Sequence, residues 1–214
     1  MKNMLNIFLD LIYKKKCYFC KQSSENSIMC SKCYDLMDFN TPQAKTIYNG
    51  VNIFCAGIYE KTMQKLIRGI KYHKKKDLAF FQAKFMYNYF QSLSITKNYQ
   101  IVPVPLYKNR QKERGYNHME LVAEEFCKMS GFPLNTSLIK RVKNTKPQYR
   151  LKKQERRNNL KNAFSVDTKD LNTNFDILII DDIFTTGSTF ESMIDELNKN
   201  NIHNITCLAA ASAN

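Results

Sequence analysis

The sequence predicts an α/β fold, a parallel sheet flanked by helices, preceded by a small zinc-binding module. Three observations predict it. From residue 53 onward, apolar runs of strand length alternate with stripes of helical period, the order that builds a parallel sheet through helical crossovers. Residues 177–180 are four consecutive aliphatics, as in a strand covered on both faces. Residues 17–33 hold two CxxC pairs, a spacing that belongs to metal sites.

Taken in order, residues 4–13 (MLNIFLDLIY) carry a short helical stripe. It fits packing on the protein's own domain or contact with a membrane surface. Asn6 and Asp10 interrupt it and no small-residue cleavage site follows, so it does not read as a signal peptide. No run approaches the ~20 apolar residues that span a bilayer, and a cytoplasmic location is expected, including the inner face of the membrane. Cys17, Cys20, Cys30 and Cys33 then place nine residues between two knuckles. Four soft thiolates with no histidine nearby suggest a closed, tetrahedral structural zinc. An iron–sulfur cluster or a redox pair are the alternatives; the short spacer and the missing thioredoxin context favour zinc. A module of residues 1–40 has too little core to fold without metal. Residues 41–52, with Pro42 and Asn49-Gly50, read as a linker. The main domain covers 53–214. Its strands are expected at 53–59, 99–104 (stopped by Pro103 and Pro105), 175–181 and 202–211. Its helices carry Met63, Leu66, Ile67 and Ile70, then residues 78–93, then Leu121, Val122, Phe126 and Met129 within 120–129, then Phe190, Met193, Ile194 and Leu197. Cys55, Cys127 and Cys207 fall in apolar patterns and read as small core residues.

The formal charge is +14, which calls for an anionic partner. An AT-rich genome, with its bias toward Lys and Asn, would explain the total but less well the clustering. Residues 61–76 carry seven basic side chains and no acid, and 140–161 carry ten against one. In the second segment Tyr149 and several amides lie among Lys146, Arg150, Lys152, Lys153, Arg156 and Arg157. Cations around an aromatic platform fit a single-stranded nucleic acid track; a solvated charged loop is the plainer reading.

Residues 177–189 read ILIIDDIFTTGST. Strand, short loop and helix N-terminus make an anion site from loop amides and the helix dipole. Gly187 lets the backbone approach a ligand closely, and Thr185, Thr186, Ser188 and Thr189 can donate to phosphate. Asp181 and Asp182 would repel phosphate; they suit sugar hydroxyls or a metal ion. No GK[ST] follows, and one glycine is too few for a dinucleotide fingerprint. A capped helix after a buried strand would not explain the paired aspartates.

This segment resembles the phosphoribosyl pyrophosphate (PRPP) loop of type I phosphoribosyltransferases. The resemblance implies that Asp181 and Asp182 hold the ribose hydroxyls while residues 185–189 wrap the 5-phosphate, with Mg²⁺ accompanying PRPP. Three further features narrow it: VPVPLYKNRQKERGYNH at 102–118, TKPQYRLKKQERRNNLKNAF at 145–164, and Lys71-Tyr72. With the cysteine knuckles they resemble the ComF (ComFC) family of competence proteins, over nearly the whole chain from about Cys17. RGYN-His118 stands where the family has RGFN-Gln. The resemblance implies a type I phosphoribosyltransferase fold. It also implies pyrophosphate contacts at Lys108, Arg110 and Arg114 on a strand-end loop at 103–114, a flap over 140–161, and a role in DNA uptake beside partners such as a helicase. Two functions follow as expectations. One is a PRPP-binding factor that handles single-stranded DNA, with PRPP tuning DNA affinity; the other is an active transferase that joins PRPP to a base.

Overall fold

A computed structural model describes residues 15–24, 27–37, 45–144, 160 and 162–213. The elements, in chain order, are α1 (Ser31–Asp35), β1 (Lys45–Tyr48), β2 (Val51–Ile58), α2 (Lys61–Tyr72), α3 (Leu78–Ser92), β3 (Tyr99–Pro103), α4 (Lys108–Arg114), α5 (His118–Ser130), β4 (Ile139–Arg141), β5 (Phe164–Val166), β6 (Asp176–Phe184), α6 (Ser188–Lys199) and β7 (Ile205–Ser212). Strands β2, β7, β6 and β3 pair in parallel, and β1 adds to the outer edge of β2 in the antiparallel sense. β4 and β5 form a separate antiparallel pair. The architecture is therefore mixed α/β with a mostly parallel central sheet flanked by helices.

The sheet is apolar on both faces, and the alternation of side chains sorts its residues into two cores. Phe54, Ala56, Ile101, Leu178, Ile180 and Leu208 face α2, α3 and α5. Ile53, Cys55, Val102, Ile177, Ile179 and Cys207 face α6 and the β4–β5 pair. The helical stripes expected for α2 and α6 are buried. In α5 the buried face is Met119, Val122, Ala123 and Phe126, whereas Leu121 and Met129 lie only partly covered at its flank. Cys55 and Cys207 are buried and Cys127 half-buried.

Three expectations are corrected. Residues 45–52, expected within a linker, are a β-hairpin whose turn, Asn49-Gly50, has φ of 47° and 79°. Both central residues in the left-handed region make it the turn whose twist matches paired strands. The segment after Pro105 holds the short helix α4 rather than a loop. β6 runs past Asp181 as far as Phe184, because Asp181 and Ile183 still pair with Ala209 and Ala211 of β7. The helical stripe at 4–13 lies outside the described residues.

The cysteine module is not a separate body. Cys17, Met29, Cys33 and Met37 are buried in the same core as α2 and α3. Tyr18 lies across α2 at Gly69, where an added Cβ would stand 3.2 Å from its ring and 2.5 Å from Leu78 Cδ1. Tyr18 Oη is 2.5 Å from His73 Nδ1, and Lys65 Nζ donates to the Phe19 carbonyl at 2.9 Å. The module thus rests on the turn of α2 that ends in Lys71 and Tyr72.

Candidate functional site

The segment RGYNH at 114–118 shows how the chain builds the site. Arg114 ends α4, and Gly115, at φ 83°, takes the left-handed conformation that closes the helix, donating to the Gln111 carbonyl at 2.7 Å. Tyr116 Oη donates to the Ile70 carbonyl of α2 at 2.5 Å. Asn117 caps α5, its Oδ1 accepting from Met119 N–H at 3.0 Å while its Nδ2 donates to the Val104 carbonyl at 3.2 Å. His118 is thereby held at the first turn of α5, buried against β6.

A chain of contacts follows. Arg114 Nη1 lies 2.8 Å from His118 Nδ1, His118 Nε2 bonds to Asp182 Oδ2, and Lys71 Nζ meets the same oxygen at 2.6 Å. A guanidinium only donates, so Nδ1 accepts and Nε2 carries the proton given to Asp182. The imidazole is neutral in this arrangement, and burial pushes its pKa down to about 4 against the opposing pull of Asp182. Burial works against ionisation of Asp182, yet Lys71 and His118 outweigh it and hold that carboxyl well below the usual range.

Asp181 points the other way, as alternation along β6 requires. Its Oδ1 accepts the Asp182 N–H at 2.8 Å. Burial, then the charge of Asp182, push it up to about 7. Its electrostatic neighbours include Arg141 of β4. Arg141 is lowered to about 10 by burial and then by repulsion from Arg110. Arg110 likewise repels Arg114. Several cations crowding each other around two carboxylates at the C-terminal ends of parallel strands is the place and charge pattern of a polyanion site.

Beyond β6 the loop reaches α6 through Gly187 at φ 79°. A Cβ there would lie 3.1 Å from the Phe184 ring, so this position demands glycine on two counts. Thr186 Oγ1 and Ser188 Oγ are 2.9 Å apart. The first N–H groups of a helix lack intrahelical acceptors, and at α6 they open onto this loop beside Thr185 and Thr189.

The structure places Asp181 and Asp182 near the end of β6 and residues 185–189 on the turn from β6 into α6, and it joins Arg114 to Asp182 through His118. Arg110 acts on the same cluster electrostatically, and Lys108 is exposed at the start of α4. Lys146, Tyr149, Arg150, Lys152, Lys153, Arg156 and Arg157 lie outside the described residues. Lys71, marked with Tyr72 only as part of the resemblance, carries no expected role in the site, and Arg141 sits in a basic run that marks none of its members. In the N-terminal module the four Sγ atoms of Cys17, Cys20, Cys30 and Cys33 lie within 4.8 Å of one another. Cys20 and Cys30 are 3.8 Å apart, close to the ~3.8 Å edge of a tetrahedron with Zn–S bonds of about 2.3 Å. The N–H groups of Phe19 and Cys30 point at Cys17 Sγ at 3.4 and 3.5 Å. Burial and the neighbouring sulfurs push Cys33 up to about 12, a penalty that a central cation would remove. The four cysteines could hold a metal ion such as zinc.

Replacing His118 by glutamine tests the reading of the relay. The amide can accept from Arg114 and donate to Asp182 as the imidazole does, without titrating. A histidine lowered in the folded state contributes stability that is complete above its unfolded pKa of about 6.5 and lost as pH falls toward its folded value. His118→Gln should match wild type near pH 8 and exceed it by about 2 kcal/mol at pH 5 in urea unfolding. A constant difference at both pH values would refute a buried neutral histidine.

No protein-family model matches the chain. It is 37% identical over 114 residues to Competence protein F of Haemophilus influenzae, covering 53% of this chain and 50% of that protein. It is 39% identical over 94 residues to Competence protein ComFC of Bacillus subtilis, covering 44% and 35%. To DNA utilization protein YhgH of Salmonella typhi it is 27% identical over 146 residues, covering 66% and 63%. The chain spans between about a third and two thirds of the length of these relatives. No described helix is long and apolar enough to cross a membrane.

Proposed function

We propose that this chain, whose relatives are named Competence protein F, ComFC and YhgH, is a ComF/ComFC-family protein of phosphoribosyltransferase type that binds PRPP and handles single-stranded DNA during DNA uptake. The observation that carries the ligand is the crowding of Lys71, Arg110, Arg114 and Arg141 around Asp181 and Asp182, one short loop away from the TTGST segment. A ligand with a phosphate at one end, diphosphate at the other and hydroxyls between matches that order of donors and acceptors. Gly187, Ser188 and the threonines would take the 5-phosphate. Arg114 and Arg110, with Lys108 at the rim, would take the diphosphate. Asp181, whose Oδ2 is not used by the Asp182 N–H contact, would take a ribose hydroxyl. Mg²⁺ would offset the charge of the diphosphate. The relatives' names, with "competence" and "DNA utilization" in them, support the DNA role, and the basic segment 146–157 would supply the strand contacts. In this reading residues 1–40 are a zinc module, and the ligand-binding domain begins with the hairpin at 45–52 and runs to residue 214. A helicase or another uptake protein is the partner expected beside it.

Calorimetric titration of PRPP with Mg²⁺ tests the site. Wild type should bind, and the double variant Asp181→Asn/Asp182→Asn should lose about tenfold or more in affinity, as expected for hydrogen bonds to charged groups. Equal binding by both would remove the aspartates from the site, and no binding by wild type would overturn the ligand.

The elevated Asp181 carboxyl favours a second reading, an active transferase. A carboxyl titrating near neutrality can accept a proton from an incoming base. Pyrophosphate release with any member of a nucleobase panel would establish it, and PRPP binding without release across the panel would exclude it.

A further inference from the structure

Tyr72 is 59% exposed at the end of α2, one of six large apolar side chains in the described residues that the core leaves out. It adjoins the candidate site. It follows Lys71, the ion-pair partner of Asp182. The Arg114 guanidinium sits over its ring at 5.7 Å from the centroid. Arg114 also bonds to His118, so the cation behind the ring is fixed from within. One face of the ring is therefore backed by a held guanidinium, and the exposure leaves the rest to solvent. The exposed Lys74, Lys75 and Lys76 follow it closely in the chain, and Lys76 Nζ covers the Tyr116 ring at 4.7 Å. Tyr116 is itself tied to α2 at Ile70.

An exposed aromatic contributes little to folding, and a solvated charge run needs no aromatic ring. A flat ring, a fixed cation behind it and three exposed lysines next in the chain are together what an unpaired base and its phosphates require. Stacking on an aromatic ring accepts any base, because every base has a π-face, and cations near the ring add to it.

We propose that Tyr72, backed by Arg114 and flanked by Lys74–Lys76, is a stacking subsite for an unpaired nucleobase at the mouth of the Asp182 site. The inference rests on the phosphoribosyl reading of that site and names what lies next to it. The base comes either from a single strand or as a free base; the three lysines favour the strand.

The test compares wild type, Tyr72→Ala and Tyr72→Phe in fluorescence anisotropy. The probes are a short labelled oligodeoxythymidine, an abasic strand of equal length, and free thymine or adenine as competitors. Tyr72→Ala should weaken oligodeoxythymidine binding about tenfold, Tyr72→Phe should keep it within about twofold, and the abasic strand should bind all three alike. Alanine at Lys74, Lys75 and Lys76 together should lower the slope of log affinity against log salt by about two. Displacement of the strand by free base in wild type, absent in Tyr72→Ala, would assign the subsite to free base instead. Equal affinity of wild type and Tyr72→Ala for every base-bearing probe, with matching thermal unfolding, would overturn the proposal. PRPP titrated into wild type alone separates the two failures, because loss of that binding would sink the phosphoribosyl reading whatever Tyr72 does.

Discussion

Lys71→Met is expected to cost about 3 kcal/mol of folding stability at neutral pH in urea unfolding. The substitution keeps most of the side-chain volume and removes the cation 2.6 Å from a carboxylate that is almost fully buried. Breaking a buried ion pair from one side costs about 3–5 kcal/mol, because the remaining charge loses its partner. The lower end applies here, since His118 still donates to the same oxygen. The pH dependence has a definite sign. Lys71 helps to hold Asp182 below the usual carboxylate range, so its contribution is present above that range and is lost as pH falls through it. The gap between wild type and variant should therefore narrow in acid, as Asp182 in the variant takes up a proton that the wild type refuses. A gap unchanged down to about pH 3 would assign the loss to packing alone.

Removing metal from the cysteine module is expected to have the second large effect, and its reach should be directional. Structural zinc contributes about 10–16 kcal/mol of binding free energy in small zinc-finger peptides. Met29 and Met37 are buried in the core shared with α2 and α3, and exposing the two would cost about 3–6 kcal/mol. Chelation, or Cys20→Ser, should lower the melting temperature by at least about 6 °C. Hydrogen exchange should show α2 losing protection around Gly69, where Tyr18 rests, while α6 on the opposite face keeps its own. A metal content of one per chain falling to none fixes the cause. Equal loss in α2 and α6, or none in α2, would contradict the seat.

The sheet and its order of elements were legible because burial on both faces writes long apolar runs, and 177–180 is the plainest. The helices with a stripe were legible for the same reason. α4 was not, since KNRQKER has no apolar face and the helix is closed by Gly115, which lies beyond it. The Asn49-Gly50 hairpin carried a recognisable turn signal, but neighbouring Pro42 and the polar residues gave the stretch a linker's composition. In the site, Asp181, Asp182, Gly187 and Arg114 could be picked out because unusual residue types stood together. Lys71 and Arg141 could not. Their importance comes from which helix end or strand faces β6, and a long basic run contains that information nowhere.

Adjacent aspartates invite description as a pair, yet β6 assigns them to opposite sides of a wall. The Asp182 side is sealed by α2 and α5 and fixed by Lys71 and His118; the Asp181 side faces Arg141 and the β4–β5 ribbon. One compartment is a clamped counter-charge and the other an adjustable acid, and they communicate only over the strand end and through the field between them. A substitution at Lys71 of α2 thus leaves the Asp182 N–H contact of the second in place, yet it is felt across the strand, because Lys71 and Asp182 both act on the charge of Asp181.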